Sequence, residues 1–337
     1  MKRISSRLLL SLAILGSTAT AGSAETLVVS NGLSPAHYIS KSGFEPWMAC
    51  VQERAGDSID FNYMPGGQIA SVKNSIDSLE SGLAQVAYIA PSNEASKLPL
   101  SAITVLPGLG DSATSLLQTF RKVFDGDGPV AKEVASNHFI PLVIVALPPY
   151  QVMTVGEPID TLEKFAGHKI RTAGGAMTFT VETLGAAPVE MPAGDLYVAM
   201  QRGTVDSTIF ALASGKSYSI QELVKSVSRN ASFGSGGGFI GISQETWDGL
   251  SEENRTIFRD CGHKAEADLA AKLDRENGEL ADEFAGLGID VFEYSDEELK
   301  AIDAKLQEVN ADYIDRLEKR GLPGKEAYDS FVAAAGK

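Results

Sequence analysis

Ser78-Leu-Glu-Ser-Gly-Leu-Ala-Gln-Val-Ala-Tyr-Ile-Ala90 and Ala199-Met-Gln-Arg-Gly-Thr-Val-Asp-Ser-Thr-Ile-Phe-Ala211 read alike. Each is the end of a helix, a glycine suited to a left-handed C-cap, and an apolar strand running toward a cleft edge. They lie too far apart for a solenoid array, so the chain is read as two similar lobes. Outward from the first copy, Thr26–Ser30 and Ile59–Tyr63 are further strands, joined by helical segments with apolar residues at Ile39, Phe44, Trp47, Met48 and Val51, and at Val72, Ile76 and Leu79. Ser34-Pro35 is read as the start of the first helix, and Ile69–Ser81 as the span of the second. Strands alternating with helices give an α/β fold with doubly wound parallel sheets.

The same grammar returns after Pro148-Pro149, with strands at Gln151–Val155, Lys169–Thr172 and Val205–Phe210 and helices over about Ala176–Leu184 and Gly194–Arg202. Glu252 to about Phe284 is one amphipathic helix, long enough to brace both lobes, ended by Gly286-Leu-Gly288. A strand at Ile289–Tyr294 and a capped final helix from Ser295 follow. The division expected is lobe I at 25–148 with about 237–275 returning to it, and lobe II at 149–236. Residues from about 276 to 337 are read as helical and packed on both lobes.

The N-terminus has the form of a secretory leader: Lys2, Arg3 and Arg7 precede the apolar run Leu8–Leu15, and small residues lead to Ala24. Cleavage after Ala24, or else after Ala21, is expected, and 1–24 is assigned to a signal peptide. Removing it takes away three positive charges and no negative ones, moving the formal charge from −15 to −18. So acidic a chain is not expected to bind nucleic acid or an anionic bilayer, and no later stretch is long enough for membrane insertion. Export makes a disulfide between Cys50 and Cys261, the only two cysteines, reasonable; two buried thiols are the alternative.

Which residues carry chemistry? Arg171 stands near the end of the Lys169–Thr172 strand, before Gly174-Gly175. Ligands of open α/β sheets sit beyond the carboxyl ends of strands, and a guanidinium there is a fork of donors matched to a carboxylate. His37 and Tyr38 follow the first strand and also fall near the expected cleft. No Gly-x-Ser-x-Gly, Walker, Cys-x-x-Cys or His-Glu-x-x-His signature occurs, and the four histidines share no metal spacing. No cofactor and no metal are expected. The best acid–nucleophile pair for a secreted hydrolase or lyase is Asp206 with Ser207, a secondary reading. Gly234-Ser-Gly-Gly-Gly238 lacks a phosphate loop's lysine and is read as a flexible lobe crossing; Asn230-Ala-Ser232 is an incidental sequon.

Five motifs in fixed order add to this: Phe61-Asn-Tyr-Met-Pro-Gly-Gly-Gln-Ile69, Leu162-Glu-Lys-Phe-Ala-Gly-His-Lys-Ile-Arg-Thr172, Leu184-Gly-Ala-Ala-Pro-Val189, Tyr197-Val-Ala-Met-Gln-Arg-Gly-Thr-Val-Asp206 and Trp247-Asp-Gly-Leu-Ser251. Together they resemble the DctP-type periplasmic receptors of TRAP transporters across nearly the whole mature chain. The resemblance implies two α/β lobes that close over a small organic acid, a long bracing helix, no enzymatic activity, and delivery to a membrane permease of small and large subunits. A receptor of the same fold feeding a sensor kinase is the variant reading. The family's carboxylate-clamping arginine falls on Arg171. Its second basic residue falls on Gln151 or Tyr150, and a polar asparagine is replaced by Phe210. With Tyr88, Tyr197 and Phe179 nearby, this implies a carboxylate bearing an apolar or aromatic part. Tyr88, Tyr150, Gln151, Asp206 and Phe210 thus join His37, Tyr38 and Arg171 as candidate ligand contacts.

Overall fold

The computed structural model describes residues 25–336, so the leader assigned to 1–24 lies outside the described residues. The strands are β1 Glu25–Ser30, β2 Ile59–Met64, β3 Val86–Ile89, β4 Phe139–Leu147, β5 Gln151–Thr154, β6 Lys169–Thr172, β7 Ala187–Glu190, β8 Ser207–Phe210, β9 Ser226–Ser228, β10 Gly236–Ser243 and β11 Asp290–Phe292. The helices are α1 Glu45–Ala55, α2 Ser75–Glu80, α3 Ala113–Phe124, α4 Pro129–Ser136, α5 Ala176–Thr183, α6 Leu196–Gln201, α7 Leu212–Ser217, α8 Gln244–Gly249, α9 Glu252–Gly286, α10 Asp296–Lys319 and α11 Gly324–Ala334.

Two sheets form, in the orders β2-β1-β3-β10-β4 and β11-β9-β5-β8-β6-β7. In each, one strand arriving from the other lobe (β10 in the first, β5 in the second) runs antiparallel to its neighbours, so the sheets are mixed rather than purely parallel. Otherwise they follow one plan. The backbone N–H of Gln85 bonds Val28 O in the first lobe, and that of Asp206 bonds Lys169 O in the second. Each of those two side chains also accepts from the neighbouring strand: Val28 N–H to Gln85 Oε1 at 2.9 Å, and Lys169 N–H to Asp206 Oδ2 at 3.1 Å. The duplicated segments therefore occupy equivalent strands, β3 and β8, and the register places Ser30 of lobe I where Arg171 stands in lobe II.

Two segments cross between the sheets side by side. Tyr150 N–H bonds Gly234 O at 2.8 Å, and Phe233 N–H bonds Tyr150 O at 3.2 Å. The 35-residue α9, about 52 Å long at 1.5 Å per residue, packs on β4, α1 and α3 of the first lobe and reaches α7 and β11 of the second. It approaches β4 so closely that a Cβ on Gly262 would lie 2.0 Å from Leu142 O. The Cys50–Cys261 disulfide ties α1 to α9 across a separation of 211 residues. Beside it, buried Glu266 pairs with Arg121 of α3 and accepts the Ile144 N–H of β4 at 2.8 Å. Gly288, at φ +84°, ends the helix, with Ile289 N–H returning to Phe284 O. Then α10 packs on α5 of the second lobe, while α11 packs on α3 of the first. Among the described residues no helix is long and apolar enough to cross a membrane.

Three local expectations are corrected. The first helix opens at Tyr38, not Ser34, passes through a π turn at Ser40–Phe44 and continues as α1. The second is only α2, preceded by a 3-10 turn at Val72–Asn74. Gly236–Gly238 are not a flexible crossing but the first buried or half-buried residues of β10.

Candidate functional site

Between the lobes lies a cleft of about 740 Å³, lined from lobe I by the turn after β1, the start of the first helix, β3 and β10, and from lobe II by β6, β8 and α7. Arg171 enters it from β6 and is 2% exposed. Its Nε–H donates to Met191 O at 3.0 Å, and its guanidinium carbon sits 5.3 Å from the centre of the Phe210 ring. Among the described residues its terminal nitrogens have no hydrogen-bond partner, and no carboxylate lies within 4.0 Å of it. Burial lowers its pKa to about 10, which leaves it charged at neutral pH. A buried cation without a counter-ion is costly to hold. Here it borders a cleft with room for an anion.

Aromatic side chains surround that charge. Phe210 stacks on Tyr218 at 5.9 Å and meets Tyr150 edge-on at 6.3 Å, while His37 packs on Tyr38 at 4.4 Å and on Tyr218 at 5.3 Å. Burial pushes the Tyr38, Tyr88 and Tyr150 hydroxyls well above the usual phenol range and raises that of Tyr218, so each is neutral. It drives His37 the other way, down to about 3. The buried lining is therefore uncharged and largely apolar apart from Arg171, with the exposed Lys73 and Glu222 at the rim. Lys73 of lobe I approaches Glu190 of lobe II at 3.8 Å, and Tyr38 Oη lies 3.2 Å from Ser214 Oγ across the same gap.

The glycines of β10 make room for this lining. A Cβ on Gly236 would lie 2.2 Å from Tyr150 Oη, and one on Gly238 would lie 2.8 Å from Tyr88 Oη. Both phenols lie against bare backbone.

Of the residues singled out from the sequence, Arg171, His37, Tyr38, Tyr88, Tyr150, Phe210 and Tyr197 line the cleft. Gln151 does not: it is buried inside lobe II, where it donates to Ala231 O at 2.6 Å and accepts from Ser228 Oγ at 2.9 Å. Alternation along β5 turns it away from the cleft that its neighbour Tyr150 faces. Asp206 is also misplaced, because it stands at the opposite end of β8 from the cleft. There it accepts from Lys169 N–H and Ser207 Oγ and meets His168 Nδ1 at 2.9 Å. Phe179 packs outside the cleft, against Tyr313 and beneath Arg316. Tyr218, Ser214, Lys73 and Gly236 were not anticipated. Tyr218 had a readable signal, since it follows the carboxyl end of β8 much as Tyr38 follows that of β1.

The Asp206–Ser207–His168 cluster lacks the arrangement that activates a nucleophile. Ser207 is fully buried, donates to Asp206, and lies 3.4 Å from the same imidazole nitrogen that Asp206 engages. It joins the start of β8 to the start of β6. Among the described residues no group of three or more His, Cys, Asp or Glu is placed to hold a metal ion.

The family model for DctP, bacterial extracellular solute-binding protein family 7, matches residues 30–316. The chain belongs to the DctP family. It is 24% identical over 276 residues to the ectoine-binding periplasmic protein TeaA of Halomonas elongata, covering 79% of this chain and 78% of that one. In structure, this DctP protein is similar to a TRAP solute-binding protein from Rhodoferax ferrireducens T118, solved in complex with copurified benzoate. The TM-score is 0.85 at 18% identity, with 93% and 98% of the two chains covered. It is also similar to a marine metagenome TRAP solute-binding protein specific for aromatic acid ligands, in complex with 3-hydroxybenzoate, with a TM-score of 0.86 at 17% identity over 94% and 99%. These likenesses establish the DctP fold, two lobes about a cleft.

Proposed function

We propose that this DctP receptor captures a small aromatic monocarboxylate in the periplasm and delivers it to a TRAP permease of small and large membrane subunits. The observation that carries the reading is Arg171, a buried guanidinium with no carboxylate within 4.0 Å among the described residues, facing a cleft walled by Phe210, Tyr150, Tyr218 and His37. A carboxylate there supplies the missing charge and two charge-assisted bonds in a site of low dielectric. An aromatic body fills the remainder, where a polyhydroxylated acid would strand hydroxyls against ring faces. Two fold neighbours hold benzoate and 3-hydroxybenzoate, which agrees with this lining. The contacts that span the gap, Tyr38–Ser214 and Lys73–Glu190, are those that hinge closure would make and opening would break.

The reading implies a leader that exports the chain, and binding without turnover. A melting-temperature screen against benzoate, hydroxybenzoates, phenylacetates, mandelate and sugar acids tests it: aromatic acids raise the melting temperature and are recovered unchanged. Stabilisation by sugar acids alone, or consumption of a candidate acid, would overturn it.

A further inference from the structure

We infer that His37 is a specificity-determining residue whose Nε2–H donates to an acceptor atom carried on the far side of the bound aromatic acid. The inference rests on the cleft being an aromatic-acid site and deepens it by naming which ring substituents are favoured.

The argument begins with the helix end. His37 is the cap of the first helix: its carbonyl accepts from Lys41 N–H at 3.0 Å, and its Nδ1 accepts from Ile39 N–H at 3.2 Å. Caps are usually Ser, Thr, Asp or Asn, because the side chain must accept a hydrogen bond from the second or third helical N–H. A histidine can do this only through a nitrogen without a proton, so the cap fixes the tautomer. The one remaining proton is on Nε2. Burial opposes a second proton and holds the pKa at about 3, and the positive end of the helix opposes it further.

The ring is 3% exposed, stacked on Tyr38 and edge-on to Tyr218, and it lines the cleft. Among the described residues Nε2 has no hydrogen-bond partner; the one hydrogen bond of the imidazole is the cap. The cap leaves this nitrogen as the ring's one free donor on the cleft. Arg171 enters from the other lobe, and the two are separated by Tyr218 and Phe210, each step under 6 Å. On this inference a single-ring acid held by Arg171 lies with its far edge toward His37, since both residues line the one cleft from opposite lobes.

The neighbouring phenols Tyr88, Tyr150 and Tyr218 can both donate and accept, so they discriminate weakly, and Tyr38 is engaged with Ser214. His37 is different, because its free nitrogen only donates. A hydroxyl, ether or carbonyl oxygen on the ligand satisfies it. A bare ring edge leaves the N–H desolvated and unpaired, and an ammonium group opposes it. The loss for the bare ring is roughly tenfold in affinity or more.

The test uses the full mature protein and calorimetric titration with benzoate, 3-hydroxybenzoate, 4-hydroxybenzoate and 4-(aminomethyl)benzoate. The readout is the ratio of affinities within each protein. In the wild type at least one hydroxybenzoate binds about tenfold tighter than benzoate, and the ammonium compound binds worst. His37→Phe brings the hydroxybenzoate-to-benzoate ratio close to one. His37→Asn, which offers both a cap acceptor and an amide N–H, restores part of it. Nitrogen NMR of the wild type provides a check that needs no variant to fold: Nδ1 shows the unprotonated shift, and the Nε2–H resonance moves when hydroxybenzoate is added. The inference is overturned by a preference that survives in His37→Phe, by a proton found on Nδ1, or by wild-type protein that binds benzoate with no preference for the hydroxy acids. In that last case the aromatic-acid reading stands. If no aromatic acid binds at all, the reading of the cleft fails and the role of His37 falls with it.

Discussion

Arg171→Ala removes the single buried charge on which ligand capture is proposed to depend. The guanidinium makes one protein hydrogen bond among the described residues, Nε–H to Met191 O, and lies over Phe210. A bound carboxylate adds two charge-assisted bonds and cancels an uncompensated charge. Truncating one partner of such a pair costs about 2–5 kcal/mol, much of it the cost of leaving the other charge buried alone. At about 1.4 kcal/mol per tenfold, the dissociation constant rises roughly 30- to 4000-fold. In a thermal-shift assay with ligand at about 100 times the wild-type constant, binding contributes about 2.7 kcal/mol. For a protein of this size that is a rise of roughly 4 °C. The variant at the same concentration retains under about 1 kcal/mol, a rise of no more than roughly 1–2 °C. Without ligand its melting temperature is expected to hold or to increase, because the buried charge removed had no carboxylate in contact with it. Arg171→Lys keeps the charge but loses the fork and the bond to Met191, so it falls between the two. Full ligand stabilisation in Arg171→Ala would refute the reasoning.

Four further outcomes follow from the geometry. Gly236→Ala places a Cβ where Tyr150 Oη now lies; displacement of the phenol should cost about 1–3 kcal/mol of stability and weaken binding, readable by urea unfolding and titration. Replacing Cys50 and Cys261 by serine opens a loop of 211 residues. Unfolding free energy should fall by up to about 5 kcal/mol with little change in ligand affinity, since α1 and α9 join within lobe I. Ser214→Ala breaks the bond from Tyr38 across the cleft and should weaken binding about fivefold through faster release, whereas Lys73→Ala, at a solvent-exposed pair, should change it less and only at low salt. His37 titrates below its unfolded value of about 6.5, so its contribution to stability is complete above that pH and is lost as the pH falls toward 3. By pH 4.5 the wild type should lose roughly 2–3 kcal/mol that His37→Phe does not lose, measured by denaturant unfolding across pH.

The two-lobed plan was readable because it is written twice. The helix-end, glycine and strand pattern recurs with the same backbone bonds, and even the Gln85 and Asp206 side chains play one part in both lobes. The place of Arg171 in the cleft was readable for a related reason, since the carboxyl end of a strand beside a glycine bend faces the crevice of such sheets. Gln151 was not placed correctly because adjacency in sequence does not say which face of a strand a side chain takes, and Asp206 because it precedes β8 at the end away from the cleft. A shift of one residue separates Tyr150 in the cleft from Gln151 in the core. The glycines of β10 were read as flexible because composition reports a missing side chain, not the phenols that occupy its space. His37 as a helix cap was hidden by Ser34-Pro35, a stronger local signal for a helix start that the chain uses instead as a turn.

The central claim concerns where the ligand's charge goes. A crystal structure of the protein with a bound aromatic acid tests it most directly. The account predicts the carboxylate within hydrogen-bond distance of both terminal nitrogens of Arg171, with the ring among Phe210, Tyr150 and Tyr218. A ligand whose carboxylate faces solvent or Lys73, leaving Arg171 unpaired, would contradict it.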